Sequence, residues 1–269
     1  MKRKILIWII TIPLLILVLF SCSKPGNKNQ GMEGISMEEA NAIELEPLKN
    51  ITLEEDALLS MNYPGEFQTM DTGEQRFSYE TVNFKLGEAT IFRDYSLKNT
   101  DLGKHIALIL NNEQILHEKS PEFTVHLEPG HYVALSFLAR SNYESLKGSE
   151  AYVIRQFYAG KTVTPQLDLN GPNLFYYAPS GKFSGRDCEE ILLDFFIINC
   201  SLSPDSYRVR VIINDSDFII SEWMPYVIRN LPDGESTIAL ELIGPDGVRV
   251  GSPFNSTTRK ISLTRKDPA

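Results

Sequence analysis

The side chains best suited to metal binding or proton transfer are four histidines, His105, His117, His126 and His131, all in one part of the chain. Imidazole is the commonest metal ligand and the usual general base near neutral pH, so the question is whether these rings converge. Their spacings include no helical His-x-x-x-His, and no Cys-x-x-Cys pair accompanies them. If Leu127 and His131 close a hairpin around Glu128-Pro129-Gly130, His126 faces Tyr132 and points outward. His131 then takes the opposite, core-facing register at the rim. The expectation is no metal and no other cofactor. Nucleophilic chemistry has no clear carrier either. There is no G-x-S-x-G, and Gly181-Lys182-Phe183-Ser184-Gly185 has the wrong spacing. Glu189 and Glu190 are adjacent, so on a strand they face opposite sides. Asp215-Ser216-Asp217 reads as a polar hairpin turn rather than a calcium loop.

Recognition has better candidates than catalysis. Phe175-Tyr176-Tyr177 and Trp223-Met224-Pro225-Tyr226 are aromatic clusters, and flat aromatic faces serve glycan and protein recognition. Arg140, Tyr143 and Lys147 occupy a polar loop, and loops at the ends of β-sandwiches often contact partners. The candidate binding residues are therefore Trp223, Tyr226, Tyr176, Tyr177, Arg140 and Tyr143. The alternative is packing within and between domains, because Trp and Tyr are normally well buried.

Strands must position these groups. Phe123, Val125 and Leu127 alternate with polar residues, as do Tyr207, Val209, Val211 and Ile213, and Ile238, Leu240 and Leu242. Period two marks half-buried strands. Ile191 to Ile198 is almost wholly apolar, as a strand covered on both faces would be. Cys188 and Cys200 flank that strand, about 40 Å apart if it is continuous, too far for a disulfide. They are expected to be free thiols.

The chain also repeats itself. Asp94, Tyr95, Asn99 and Leu102 match Asp194, Phe195, Asn199 and Leu202. Ile106, Leu108, Leu110 and Asn111 match Val209, Val211, Ile213 and Asn214. Leu127-Glu128-Pro129-Gly130 falls opposite Leu231-Pro232-Asp233-Gly234, and a strand follows each turn. This predicts an all-β chain of two tandem immunoglobulin-like or fibronectin-III-like sandwiches, each of about seven strands. The limits read as 75–160 and 172–265, with a turn-rich boundary in Gly160 to Asn173. "HIALILNNE" (105–113), "LEPGHYVALSFLARS" (127–141) and "NLPDGESTIALELIGPDG" (230–247) resemble a group of poorly characterised bacterial lipoproteins with tandem Ig-like domains, some labelled phosphopeptide-binding. The resemblance implies the fold and no catalytic motif.

The N-terminus opens MKRKILIWIITIPLLILVLFSC, a basic segment and then an apolar run interrupted by Pro13. The run is short for a membrane span and reads as a signal peptide over residues 1–21. Leu19-Phe20-Ser21-Cys22 resembles the lipobox of bacterial lipoproteins, in which cleavage precedes the cysteine and the cysteine takes the lipid. Ser23 follows, not an Asp, which by that resemblance points to the outer membrane and leaves the face open. Residues 22–74 are polar and acidic and read as a lipidated tether, with candidate helix starts at Ser36/Glu39 and Thr52/Glu55.

The formal net charge of −9 becomes −12 once the three leader cations are removed, which argues against nucleic-acid binding. The functional expectation is a lipid-anchored, non-catalytic envelope protein binding a protein or glycan. The alternatives are an accessory subunit of a glycan degradation or uptake system, or a hydrolase with an unrecognised site. Cys22→Ala should abolish incorporation of a labelled fatty acid in metabolic labelling; unchanged incorporation would place the anchor elsewhere.

Overall fold

The computed structural model describes residues 42–49, 56–90, 95, 97–161 and 167–266. The candidate helix starts, Cys22 and Asp94 lie outside these residues. The first domain is built from β2 (Leu58–Tyr63), β3 (Thr69–Met70), β4 (Gly73–Val82), β5 (His105–Leu110), β6 (Gln114–Glu118), β7 (Glu122–Leu127), β8 (Gly130–Ala139) and β9 (Tyr152–Ala159). The second is built from β10 (Asn173–Ala178), β11 (Gly181–Ser184), β12 (Glu190–Ile198), β13 (Arg208–Ile213), β14 (Ser216–Ile220), β15 (Tyr226–Arg229), β16 (Gly234–Ile243) and β17 (Thr257–Thr264). A short 3₁₀ turn, Gly185–Cys188, precedes β12.

The two domains share one plan. The first pairs a sheet ordered β2-β4-β7 with one ordered β3-β9-β8-β5-β6. The second pairs β15-β12-β10 with β11-β17-β16-β13-β14. In each, the last strand takes a short parallel neighbour, β3 beside β9 and β11 beside β17. In each, the first full strand bulges and ends at a cis X-Pro bond, Tyr63-Pro64 and Ala178-Pro179. Asn111 and Asn214 hold the same position after β5 and β13. Both have φ 51°, a left-handed conformation that asparagine tolerates well. Both side chains accept a backbone N–H from the facing strand, from Val133 and Thr237 respectively. This is the immunoglobulin/fibronectin-III sandwich used twice.

One matched block of the repeat is misaligned. Asp194 lies inside β12, whose counterpart is β4, and both strands end at a left-handed asparagine, Asn83 (φ 56°) and Asn199 (φ 58°). The connection after Asn83 is much longer than that after Asn199, so a constant offset from Asp94 slips along the chain. The hairpin assigned to Leu127–His131 is also corrected. β7 pairs with β4, and β8 pairs with β5 and β9, so this turn carries the chain from one sheet to the other. His126 is nonetheless exposed, held by Glu74 and Glu128, and His131 is buried.

The tether is shorter than its composition suggests. Leu59 and Met61 on β2 and Met70 on β3 belong to the core of the first domain. β1 (Glu44–Pro47) joins the second domain instead, as an antiparallel neighbour of β15. Leu48 N–H donates to the Pro225 carbonyl, and Arg229 bridges Glu46 and Glu190. The second domain therefore combines a strand from before the first domain with residues 173–264. β12 is one continuous strand, and Cys188 and Cys200 at its ends are free.

Each sandwich has its own core, and a third apolar cluster lies between them. β5 and β8 turn Ile106, Leu108 and Leu110, and Ala134 and Leu138, into the first core. Their other faces carry Ala107, Ile109, Val133, Leu135 and Phe137, which pack on Phe175, Tyr177, Leu192, Phe196 and Val227 of the second domain. Phe137 meets Phe196 at 4.4 Å and Tyr177 at 4.6 Å between ring centroids. Residues 172–265 alone would expose this second-domain face and lose β1. Phe137→Ala should therefore cost about 3–5 kcal/mol. Although Phe137 lies in the first domain, the loss should appear in the fluorescence of Trp223, the one tryptophan besides Trp8, during urea denaturation. An unshifted Trp223 transition would mean that the domains unfold independently.

Candidate functional site

The connection from β8 to β9 folds back on itself before reaching the second domain. Arg140 N–H donates to the Glu144 carbonyl and Tyr143 N–H to the Arg140 carbonyl. Tyr143 has φ 68°. Asn142 Oδ1 accepts the Glu144 N–H at 3.1 Å, as asparagine does in tight turns. Arg140 and Glu144 form a buried ion pair. Burial pushes the Glu144 carboxyl up to about 7, with Asp194 adding to the rise and Arg140 opposing it.

Ser145 and Lys147 continue into the second domain, where Asp194 has no solvent exposure. Asp194 accepts from Ser145 Oγ (2.7 Å), Ser145 N (2.9 Å), Lys147 Nζ (2.5 Å) and Phe195 N (2.8 Å). A carboxylate removed from water needs such a full set of donors. The Lys147 ammonium lies 4.2 Å from the centroid of Phe196 and 5.3 Å from that of Trp223. Trp223 Nε1 donates to the Phe195 carbonyl at 3.0 Å. The aromatic platform expected at Trp223 is thus occupied by the chain's own lysine.

A cavity of about 240 Å³ opens beside this network. The first domain contributes Lys98, His117, Asn142 and Tyr143, and the second contributes Tyr177, Phe183, Glu190 and Leu192. His117 stands on β6 and His105 on β5. Ala107 is paired with His117, so His105 is its diagonal neighbour on the same face. His105 Nδ1 lies 2.8 Å from the Gly103 carbonyl and must donate to it. Its Nε2 is then an acceptor for His117 Nδ1–H at 3.0 Å, and the free lone pair of the pair falls on His117 Nε2. Burial, reinforced by His105, depresses His117 to about 3, and burial depresses His105 too. Both rings are neutral at ordinary pH.

The remaining polar groups are unequal. Asn142 is 1 % exposed, and its Nδ2, closed to solvent, has no hydrogen-bond partner among the described residues, because the turn fixes its other end on Glu144. Lys98 Nζ already donates to the Lys182 carbonyl at 3.1 Å and sits over the Phe183 ring. Glu190 is held by Arg229 Nη2 at 2.8 Å and Nε at 3.1 Å. The cleft therefore offers aromatic walls and a neutral acceptor, with Glu190 held by Arg229 and the Lys98 ammonium still carrying its charge. No group of three or more His, Cys, Asp or Glu side chains among the described residues could hold a metal ion.

Of the six residues singled out from sequence, Tyr143 and Tyr177 line this cleft. Tyr176 and Tyr226 are buried in the second core, Tyr226 donating to the Glu222 carbonyl. Trp223 is spent on the seam, and Arg140 on Glu144. These four placements correct the expectation of exposed binding groups: a side chain on a strand or turn that faces a packed layer is consumed by it. His117, Asn142, Lys98 and Phe183 were not anticipated. For His117 a signal existed, since Asn111-Asn112 between apolar alternations marks a hairpin that brings residues 105 and 117 together.

No family model matches the sequence, and no curated protein does. Among solved structures, the fibronectin(III)-like modules of Clostridium thermocellum CbhA match at 10% identity over 79% of this chain and 97% of that chain, with a TM-score of 0.29. Bacteroides ovatus SGBP-B of a mixed-linkage glucan utilization locus, in complex with a mixed-linkage heptasaccharide, matches at 10% identity over 76% of this chain and 47% of that chain, with a TM-score of 0.23. The central fibronectin-III array of RIM-binding protein matches at 8% identity over 76% of this chain and 68% of that chain, with a TM-score of 0.25.

The depressed His117 pKa makes stability pH-dependent with a defined sign. Between about 6.5 and about 3 the unfolded chain protonates this ring and the folded chain does not, so stability falls as pH falls. Glu144, raised to about 7, acts oppositely: its stabilisation is full below its unfolded value near 4.5 and is lost as pH rises through 7. A variant isolates the histidine. Between pH 7.5 and pH 5, His117→Gln should lose about 2 kcal/mol less stability than the parent chain in urea titrations. Equal losses would mean that His117 titrates normally in the folded state.

Proposed function

We propose that this chain is a lipid-anchored, non-catalytic binding protein of the cell envelope, probed by its ligand at the cleft between its two sandwiches. The anchoring half rests on the basic and apolar leader and the lipobox-like Leu19–Cys22. With β1 docked from Glu44, the chain from Cys22 to that strand spans no more than about 75 Å even when fully extended.

The observation that carries the binding half is a cavity of about 240 Å³ walled by Tyr143 and His117 of the first domain and by Tyr177, Phe183 and Leu192 of the second. Ligand clefts occur preferentially at domain interfaces, with apolar walls and few polar groups, and this one has that composition. Its walls are set by a packed, ion-paired seam, so little ordering would accompany binding. Reading it as a binding site requires no chemistry of His117, which His105 holds, or of Glu190, which Arg229 holds.

The test is a fragment screen by NMR on the full chain in nanodiscs, with labelled histidine and tyrosine. Binders should shift His117 and Tyr143 together. Tyr143→Gly, which suits the φ of 68° and removes the ring, should abolish those shifts. Fragments that bind only elsewhere, or shifts that survive Tyr143→Gly, would remove the cleft from the function.

A further inference from the structure

The segment before the first domain is docked on the second, and its contacts continue into the wall of the cleft. We infer that β1 is a detachable strap. Docked, it holds the second-domain wall of the cleft in place; released, it opens the β15 edge and loosens that wall. The strap concerns the walls alone, and its test needs no ligand, so it stands apart from the binding reading.

Period two puts Glu44, Glu46 and Leu48 on one face of the segment and Ile43 and Leu45 on the other. Ile43 and Leu45 pack on the second core. The opposite face extends the sheet face that meets the first domain, because Leu48, Val227 and Leu192 share the seam cluster. Val227 stands opposite Leu192 and Glu46, which makes Leu48 its diagonal neighbour. Arg229 stands opposite Glu44 on one side and Glu190 on the other. It holds Glu46 at 2.8 Å and Glu190 at 2.8 Å. Glu190 and Leu192 both line the cleft. Two rows therefore lead from β1 to that lining: a charged one through Arg229 and an apolar one through Val227.

The strap is held lightly. It has four residues, and β15 is its one neighbour among the described strands. Glu44, Glu46 and Pro47 are exposed, and an ion pair as open to water as Glu46–Arg229 contributes little. Leu48, 3 % exposed, is the one buried side chain of residues 42–49. Single hydrogen bonds flank the strand: Leu48 N–H to the Pro225 carbonyl, Lys49 N–H to the Tyr95 hydroxyl, and Asn230 Nδ2 to the Ala42 carbonyl. Elements with few buried apolar contacts open locally, well below the cost of global unfolding. β12, between β15 and β10, is buried along nearly its whole length. Release of β1 would make β15 an edge, take Glu46 from Arg229, and vacate the place of Leu48 in the cluster that holds Leu192. Such coupling is reciprocal, so whatever tightens the wall favours the docked strand.

The experiment is hydrogen exchange by mass spectrometry on the full chain in nanodiscs, with methyl-labelled leucine NMR on the same sample. Residues 42–49 should exchange about tenfold or more faster than β12, as a separately opening element does. Leu48→Ala should speed that exchange by about tenfold again. It should leave β4 unchanged, since β4 neither pairs with β1 nor shares its clusters. Glu46→Arg, which sets two cations side by side, should act in the same way without removing a buried group, and it carries the test if Leu48→Ala does not fold. Both variants should move the Leu192 methyl signals along one line, as a change in the docked fraction would. Exchange at 42–49 as slow as that of β12 would make β1 an integral strand and no strap. The strap is equally refuted if neither variant folds, if neither speeds exchange at 42–49, or if Leu192 stays unmoved or shifts in unrelated directions. None of these outcomes bears on whether the cleft takes a ligand, which the fragment screen decides.

Discussion

Asp194 fixes how the two halves of this molecule meet. It has no solvent exposure and sits on the strand whose faces serve two different apolar clusters, Leu193 and Phe195 in the second core and Leu192 and Phe196 in the seam. An apolar seam alone is tolerant of sliding, because dispersion and burial are nearly non-directional. A buried carboxylate is not tolerant, since displacement by one residue would strand it without donors at a cost of several kcal/mol. Ser145 and Lys147 meet it from the first domain, so the β8–β9 loop has one acceptable position on the second domain. Tyr143 and Asn142 belong to the same loop, and their placement against Tyr177 follows from it.

Duplication explains the sheets but not the seam. The two sandwiches have equivalent strands, equivalent left-handed asparagines and equivalent cis prolines, yet they use different surfaces to meet. The first domain offers its larger sheet through β5 and β8, and the second offers its smaller sheet through β10 and β12. The smaller sheet of the second domain is also the one widened by β1. An edge strand left open invites pairing with other chains, and here the chain closes β15 with its own N-terminal segment. That strand also ties the segment that precedes the first domain to the domain farther along the sequence.

How much of this was legible in the sequence depends on where each partner lies. Alternation located β7, β13 and β16, and the unbroken apolar run located β12 together with its separated cysteines. Those signals are local, since they depend on which faces a strand buries. β1, β2 and β3 read as tether in the sequence because they are short and flanked by polar residues. Their partners, β15, β4 and β9, are strands that composition cannot associate with them. The same limit explains Trp223. Sequence shows that an aromatic cluster exists, but only the fold shows that Lys147 fills it. It also explains the repeat, in which blocks anchored on strand-and-turn pairs were aligned correctly and the block anchored on Asp94 ran through connections of unequal length.

The same reasoning separates groups that stabilise the seam from groups that remain available. Arg140 pairs with Glu144, Lys147 with Asp194, and Trp223 with the Phe195 carbonyl, and a ligand could recruit them only by breaking bonds already made. Asn142 belongs with them, because one end of its amide is required by the turn and the other is closed to solvent. His117 differs, since a committed N–H on one side fixes a lone pair on the other. It belongs to the first domain, but the cavity that it lines exists only when Tyr177, Phe183 and Leu192 of the second are in place. The buried ion-paired contact that holds the domains together is therefore also what completes the cleft.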